Sequence, residues 1–170
     1  MEALAASASV AGLVSLAGQC VSGAQTLRNL YRDIKTASKT VDGFLKDLKN
    51  LLRTLHEVNA LLAKLNAVSS PNTDPSSLEN LKTQLEDCRS DLDGWLAMSQ
   101  AYGRATGRGA RAIFRKFWIA VNQDTVKNIT MAMQRRRVEL MVSLVVVGRF
   151  VMTDSDRNVH SSDLGQNLRC

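Results

Sequence analysis

Val41, Phe44, Leu48, Leu51, Leu55, Val58, Leu62 and Leu65 follow one another at alternating steps of three and four. That spacing sets all of them on one side of an α-helix, whereas a strand would divide them between two faces. Leu45, Leu52 and Leu61 widen the stripe to a bundle-type face. The pattern predicts a helix from about 38 to 67, and a helix with such a stripe needs partners with matching ones.

The rest of the chain supplies them. Ala3, Ala6, Val10, Leu13, Ala17, Cys20, Ala24, Leu27, Tyr31 and Ile34 form one stripe, and Leu78, Leu81, Leu85, Cys88, Leu92 and Trp95 another, with Glu79, Glu86, Asp87, Asp91 and Asp93 lying off it. Between the second and third segments, "SSPNTDPSS" (69–77) reads as loop, where Asp74 and Pro75 suit the N-cap and first position of a helix ending near Tyr102. "GRATGRGAR" (103–111) breaks the pattern with three glycines, as a flexible connection does. Ile113, Phe114, Phe117, Trp118, Val121, Val126, Ile129, Met133, Leu140, Leu144, Val147 and Val151 then mark a fourth, less regular helix to about residue 152. Val145, Val146 and Val147 would suit a strand, but no partner strand is visible, and Arg135, Arg136 and Arg137 crowd one helical turn.

The expected fold is all-α: an antiparallel bundle of about four long helices over residues 1–152, with a Gly/Arg-rich loop before the last. Residues 153–170 are polar and aperiodic, and read as a disordered tail or linker with more protein following. A composition of 45% hydrophobic and 22% charged residues with two prolines agrees with a helical domain.

Charge is uneven. Ten basic and two acidic side chains fall within 94–153, against ten and eleven within 1–93. Arg104, Arg108, Arg111, Arg115 and Lys116 lie in a run with no acid between Asp93 and Asp124. The plain reading is a solvated surface; the sharper one is contact with an anionic lipid surface, and nucleic acid comes third. Phe114, Phe117 and Trp118 suit base stacking or an interface, but at helical spacing they read first as core.

No constellation for catalysis is visible. His56 and His160 have no nucleophile at a recognisable spacing, and Cys20, Cys88 and Cys170 form neither a disulfide framework nor a zinc pattern. Gly107, Gly109 and Ala112 satisfy GxGxxA without the preceding strand that a dinucleotide site requires. The chain reads as a non-enzyme without cofactor or metal. Asn128 heads a glycosylation triplet that matters only in a secreted chain, and the start lacks the basic flank of a secretory signal.

The first helix is the unusual one. From Ala3 to Leu27 it has 25 uncharged residues, about 37 Å of helix, of which seven are Leu or Val. That length suffices to cross a hydrocarbon core of about 30 Å, but the low hydrophobicity means that insertion requires association. Ala3, Ser7, Ala11 and Ser15 repeat every four residues, the small-residue face on which helices pack within membranes. Gly12, Gly18 and Gly23 each cost about 1 kcal/mol of helix stability, for which close approach of neighbouring helices is one structural return.

"MEALAASASVAGLVSLAGQCVSGAQTLRNLY", then "VDGFLKDLKNLLRTL", "LENLKTQLEDC" and "FRKFWIAVNQDTVKNITMAMQRRRVELMVSL" resemble the HeLo-like N-terminal domains of fungal immune-receptor-like proteins. The resemblance runs to about residue 150. It implies a helical bundle acting in programmed cell death, innate immunity and heterokaryon incompatibility, cytoplasmic until activation moves it to the plasma membrane. It further implies self-association driven by a C-terminal or partner signalling region, with the N-terminal helix engaging and permeabilising the membrane. In this chain the implied membrane-active residues are Leu4, Val10, Gly12, Leu13, Val14, Leu16, Gly18, Val21 and Gly23. The alternative is a non-lytic oligomerisation or adaptor domain that never touches lipid.

Overall fold

A computed structural model describes the backbone of residues 2–32, 39–68, 74–104 and 123–166, and side-chain surroundings within 10–30, 42–67, 74–100 and 125–149. These residues form four helices: α1 (Glu2–Arg32), α2 (Lys39–Val68), α3 (Pro75–Arg104) and α4 (Gln123–Gln166). The described residues are all helix apart from Asp74.

The stripe of α2 is buried as its spacing demands, from Phe44 through Leu48, Leu51, Leu55, Val58 and Leu62 to Leu65. Val10, Leu13, Ala17, Cys20, Ala24 and Leu27 of α1 meet it, as do Leu78, Leu81, Leu85, Cys88 and Leu92 of α3. The start of α3 follows from two residues. Asp74 accepts the backbone N–H groups of Ser76 and Ser77, each at 3.2 Å, while Pro75 takes the first helical position, where no N–H is needed.

Side-by-side packing joins α1 to α2 and α3, and α4 to α2 and α3. The directions can be read from the contacts. Cys20 lies against Leu85, and Gly23, one turn further along α1, lies against Leu92, so α1 and α3 run parallel. Ser143 meets Gln84 while Arg136 meets Asp91, so α3 and α4 run antiparallel. The chain from Arg32 to Lys39 spans at most about 25 Å, too little to return along a helix of about 46 Å, so α2 runs against α1. Consecutive helices therefore alternate in direction, as expected, but α2 and α3 are not side-by-side neighbours. Of the four lateral interfaces among the described helices, two, α1 with α3 and α2 with α4, are parallel.

α4 departs from the sequence expectation at its far end. Helix continues to Gln166, beyond 152, so residues 153–166 are not the disordered tail that their lack of apolar periodicity suggested. No proline occurs there and the first glycine is Gly165, so nothing in the local chain stops the helix. The Val145–Val147 run is helical. Of the Gly/Arg-rich segment, Gly103 and Arg104 belong to α3, and residues 105–122 lie outside the described residues.

The crowded arginines divide their work. Arg135 points outward and pairs with Glu139 at 2.8 Å. Arg136 turns toward α3, with Nε 2.8 Å from Asp91 and Nη1 2.9 Å from Asp87. Arg137 is half-buried, and its Nε has no hydrogen-bond partner.

Candidate functional site

α1 has two sharply different sides. Its inner side is core, and Val14, Leu16, Val21 and Leu30 flank that core while partly buried. Its outer side presents Ala11, Gly12, Ser15, Gly18, Gln19, Ser22, Gln25 and Thr26, all exposed and all uncharged. The four-residue repeat of small side chains thus looks away from the bundle at Ala11 and Ser15.

Of the nine residues expected to be membrane-active, Val10 and Leu13 are core, at 8% and 2% exposure, and Val14, Leu16 and Val21 pack against the core. Gly12 and Gly18 stand on the outer side, and the side chain of Leu4 lies outside the described residues. The described apolar residues in this set are therefore committed to the bundle, Gly23 faces Leu92, and only Gly12 and Gly18 are free of it.

The glycines do not serve close helix packing, which corrects the expected structural return. A Cβ added at Gly12 or Gly18 would meet nothing within 4 Å. At Gly23 it would lie 3.6 Å from Leu92 Cβ, an ordinary contact. The small residues that α1 turns into the bundle are instead Ala17, Cys20 and Ala24, each fully buried. Gly12 and Gly18 therefore weaken α1 as a helix and bring the bundle no contact in exchange.

An open groove of about 440 Å³ runs between α1 and α3. Gly12, Leu13, Ser15, Leu16 and Gln19 make its neutral wall, and Glu79, Lys82, Glu86 and Arg89 its charged one. The groove forms because the α1 wall is too small to fill it.

α1 is also held differently from α4. The ion pairs resolved among the described residues lie within α3, within α4 and between those two helices. α1 is held by apolar packing and by the Cys20 thiol, which donates to the Leu85 carbonyl at 3.3 Å. Cys20 and Cys88 are both buried and reduced. The hydrogen bond with Cys20, together with burial, pushes the Cys88 thiol far above its ordinary range.

Arg104 is the last residue of α3, its side chain outside the described set, and Arg108, Arg111, Arg115 and Lys116 fall within 105–122, also outside it. Among the described residues no cluster of His, Cys, Asp or Glu could hold a metal. No helix of the described residues is long and apolar enough to cross a membrane.

Sequence reasoning missed a second surface. Met131, Val138, Met141, Val142, Val145 and Val146 stand exposed along the outside of α4. The signal was the irregularity of this helix, which carries two interleaved apolar series where one was sought. No family model, curated protein or solved structure matches the chain.

Proposed function

We propose that this chain is a cell-death signalling module of the HeLo-like kind, which works by self-association and reaches the membrane through α1 once copies cluster. The observation that carries this reading is the outer side of α1, small, uncharged and unpacked, with Gly12 and Gly18 lowering helix stability without a packing return. Such a side lets helices approach one another closely in lipid. Because no helix of the described residues is apolar enough to cross a bilayer alone, the membrane-bound form must be an assembly. α1 suits release better than α4 does, since the apolar burial it gives up on leaving the bundle can be regained in lipid, whereas ion pairs cannot.

The second reading is a non-lytic adaptor that associates through helix faces. The commitment of Val10 and Leu13 to the core favours it, because departure of α1 would uncover the stripes of α2 and α3.

Vesicle co-sedimentation and dye release separate the two, with anionic and neutral lipids and a forced-oligomer fusion beside the monomer. Leu13 is unsuitable for substitution by lysine, since a buried charge there would unfold the bundle. Ala11→Lys and Ser15→Lys charge the exposed side and leave the core intact. Leakage from anionic vesicles that is stronger for the oligomer and lost in both lysine variants supports the membrane reading. An oligomer that leaves vesicles intact gives the adaptor.

A further inference from the structure

The outer side of α4 carries an apolar seam that the bundle leaves uncovered. Met131, Val138, Met141, Val142, Val145 and Val146 are 40–58% exposed there. Met131, Val138 and Val145 are seven residues apart, and so are the core residues Val126, Met133, Leu140 and Val147 on the opposite side. From Val138 to Val147 the helix is apolar nearly all round, a composition found where both sides are covered. A seven-residue repeat stays in line with a partner only when that partner is another helix crossing at a shallow angle. The geometry that seats α4 on α2 and α3 is thus repeated outward, with none of the described helices there.

The geometry points to a second copy of this chain as the occupant, α4 packed antiparallel on α4 about a two-fold axis at the level of residues 137 and 138. This rests on the association proposed above and supplies its first contact. Two features select a copy over an unrelated partner. Arg135 and Glu139 sit four residues apart along one flank of the seam, paired at 2.8 Å. Reversing the second helix lays its Glu139 beside the first helix's Arg135 and its Arg135 beside the first Glu139, so the flank is complementary to itself. The six side chains offer on the order of 500 Å² per copy, toward the upper end of the range for a monomer's largest patch. Two copies would together bury on the order of 1,000 Å², which is where specific interfaces begin.

Analytical ultracentrifugation of the full chain, up to high micromolar concentration, tests this with the double variant Val138→Asp, Val142→Asp. The native chain is expected to dimerise, and the variant to dissociate at least about 100-fold more readily, because two carboxylates would be buried without partners. At a concentration where the native chain is monomeric, its melting temperature should match that of the native chain, since both valines are exposed in the single bundle. Ser90→Asp, on the exposed side of α3, should dimerise like the native chain. A native chain monomeric throughout overturns the inference, as does a dimer that survives the paired aspartates. In the latter case association itself stands and only its place on α4 fails. Loss of vesicle binding in the aspartate variant, with native protein monomeric in solution, would assign the seam to lipid and also overturn it.

Discussion

Arg136 of α4 lies with its Nε 2.8 Å from Asp91 of α3, while its Nη1 reaches Asp87 at 2.9 Å and Glu139 at 3.1 Å. One guanidinium, 18% exposed, thus gathers three carboxylates and fixes the angle between two helices. Arg136→Ala is expected to lower stability by about 1–3 kcal/mol, read from chemical denaturation, because it leaves the half-buried Asp91 carboxylate without its ion-pair partner, while Glu139 keeps Arg135. Arg136→Lys should recover only part of this, a point charge being unable to reproduce the fork.

The same cluster predicts an acid limb. A hydrogen bond from Arg135, and another from Arg136, hold the Glu139 carboxyl below the ordinary carboxylate range. Its contribution is therefore present in full above the unfolded value of about 4.3 and disappears as pH falls through the lower folded value. Asp74, held low by the hydroxyl of Ser76 and then that of Ser77, acts in the same direction. Melting temperatures measured from pH 6 downward should fall more steeply for the native chain than for Glu139→Gln, starting from a higher value.

Gly12→Ala and Gly18→Ala should each stabilise the bundle by about 0.5–1 kcal/mol, since the added methyl meets open space and favours helix. Gly23→Ala should also be tolerated beside Leu92. If the outer side of α1 works in an assembly, the first two variants will be more stable and yet less active in dye release. Equal activity would leave these glycines as simple defects of the helix.

Leu85 is fully buried where α1 meets α3, beneath the Cys20 contact. Leu85→Ala should cost about 2–5 kcal/mol, the range for a core leucine whose site collapses incompletely. Leu16, only partly buried, should cost clearly less on the same substitution.

Titration with a thiol reagent should find Cys20 and Cys88 silent in the native protein and reactive on unfolding. Burial keeps both from the reagent, and the raised Cys88 thiol is not ionised at neutral pH. Fast native reaction of either would mean that α1 detaches from α3 unprompted.

The core of α2 was legible because Phe44 through Leu65 repeat without a gap, and the start of α3 because Asp74 and Pro75 each have one reason to stand where they do. The pairing of α1 with α3 was not legible. A helical stripe states how wide a face is buried but not which neighbour covers it, and short links encourage the assumption that neighbours in sequence are neighbours in space. On α4 the inner repeat was legible, since Val126, Ile129, Met133, Leu140, Leu144 and Val147 all face the core. The outward seam and the helix beyond 152 were not, because a single stripe was sought where two interleave, and the polar residues after 152 lack a stripe without containing a breaker. On α1 the small outer face was visible from the Ala/Ser spacing. That Val10 and Leu13 belong wholly to the core became evident only with α2 and α3 in place.

The uneven placing of ion pairs gives the bundle two seams that answer to different conditions. Raised ionic strength screens the exposed parts of the Arg136 cluster and so loosens α4 from α3 first, leaving α1 seated. Cooling weakens apolar packing more than it weakens ionic contacts, and so it acts first on α1. Temperature and salt are thus separate handles on the two ends of one small protein.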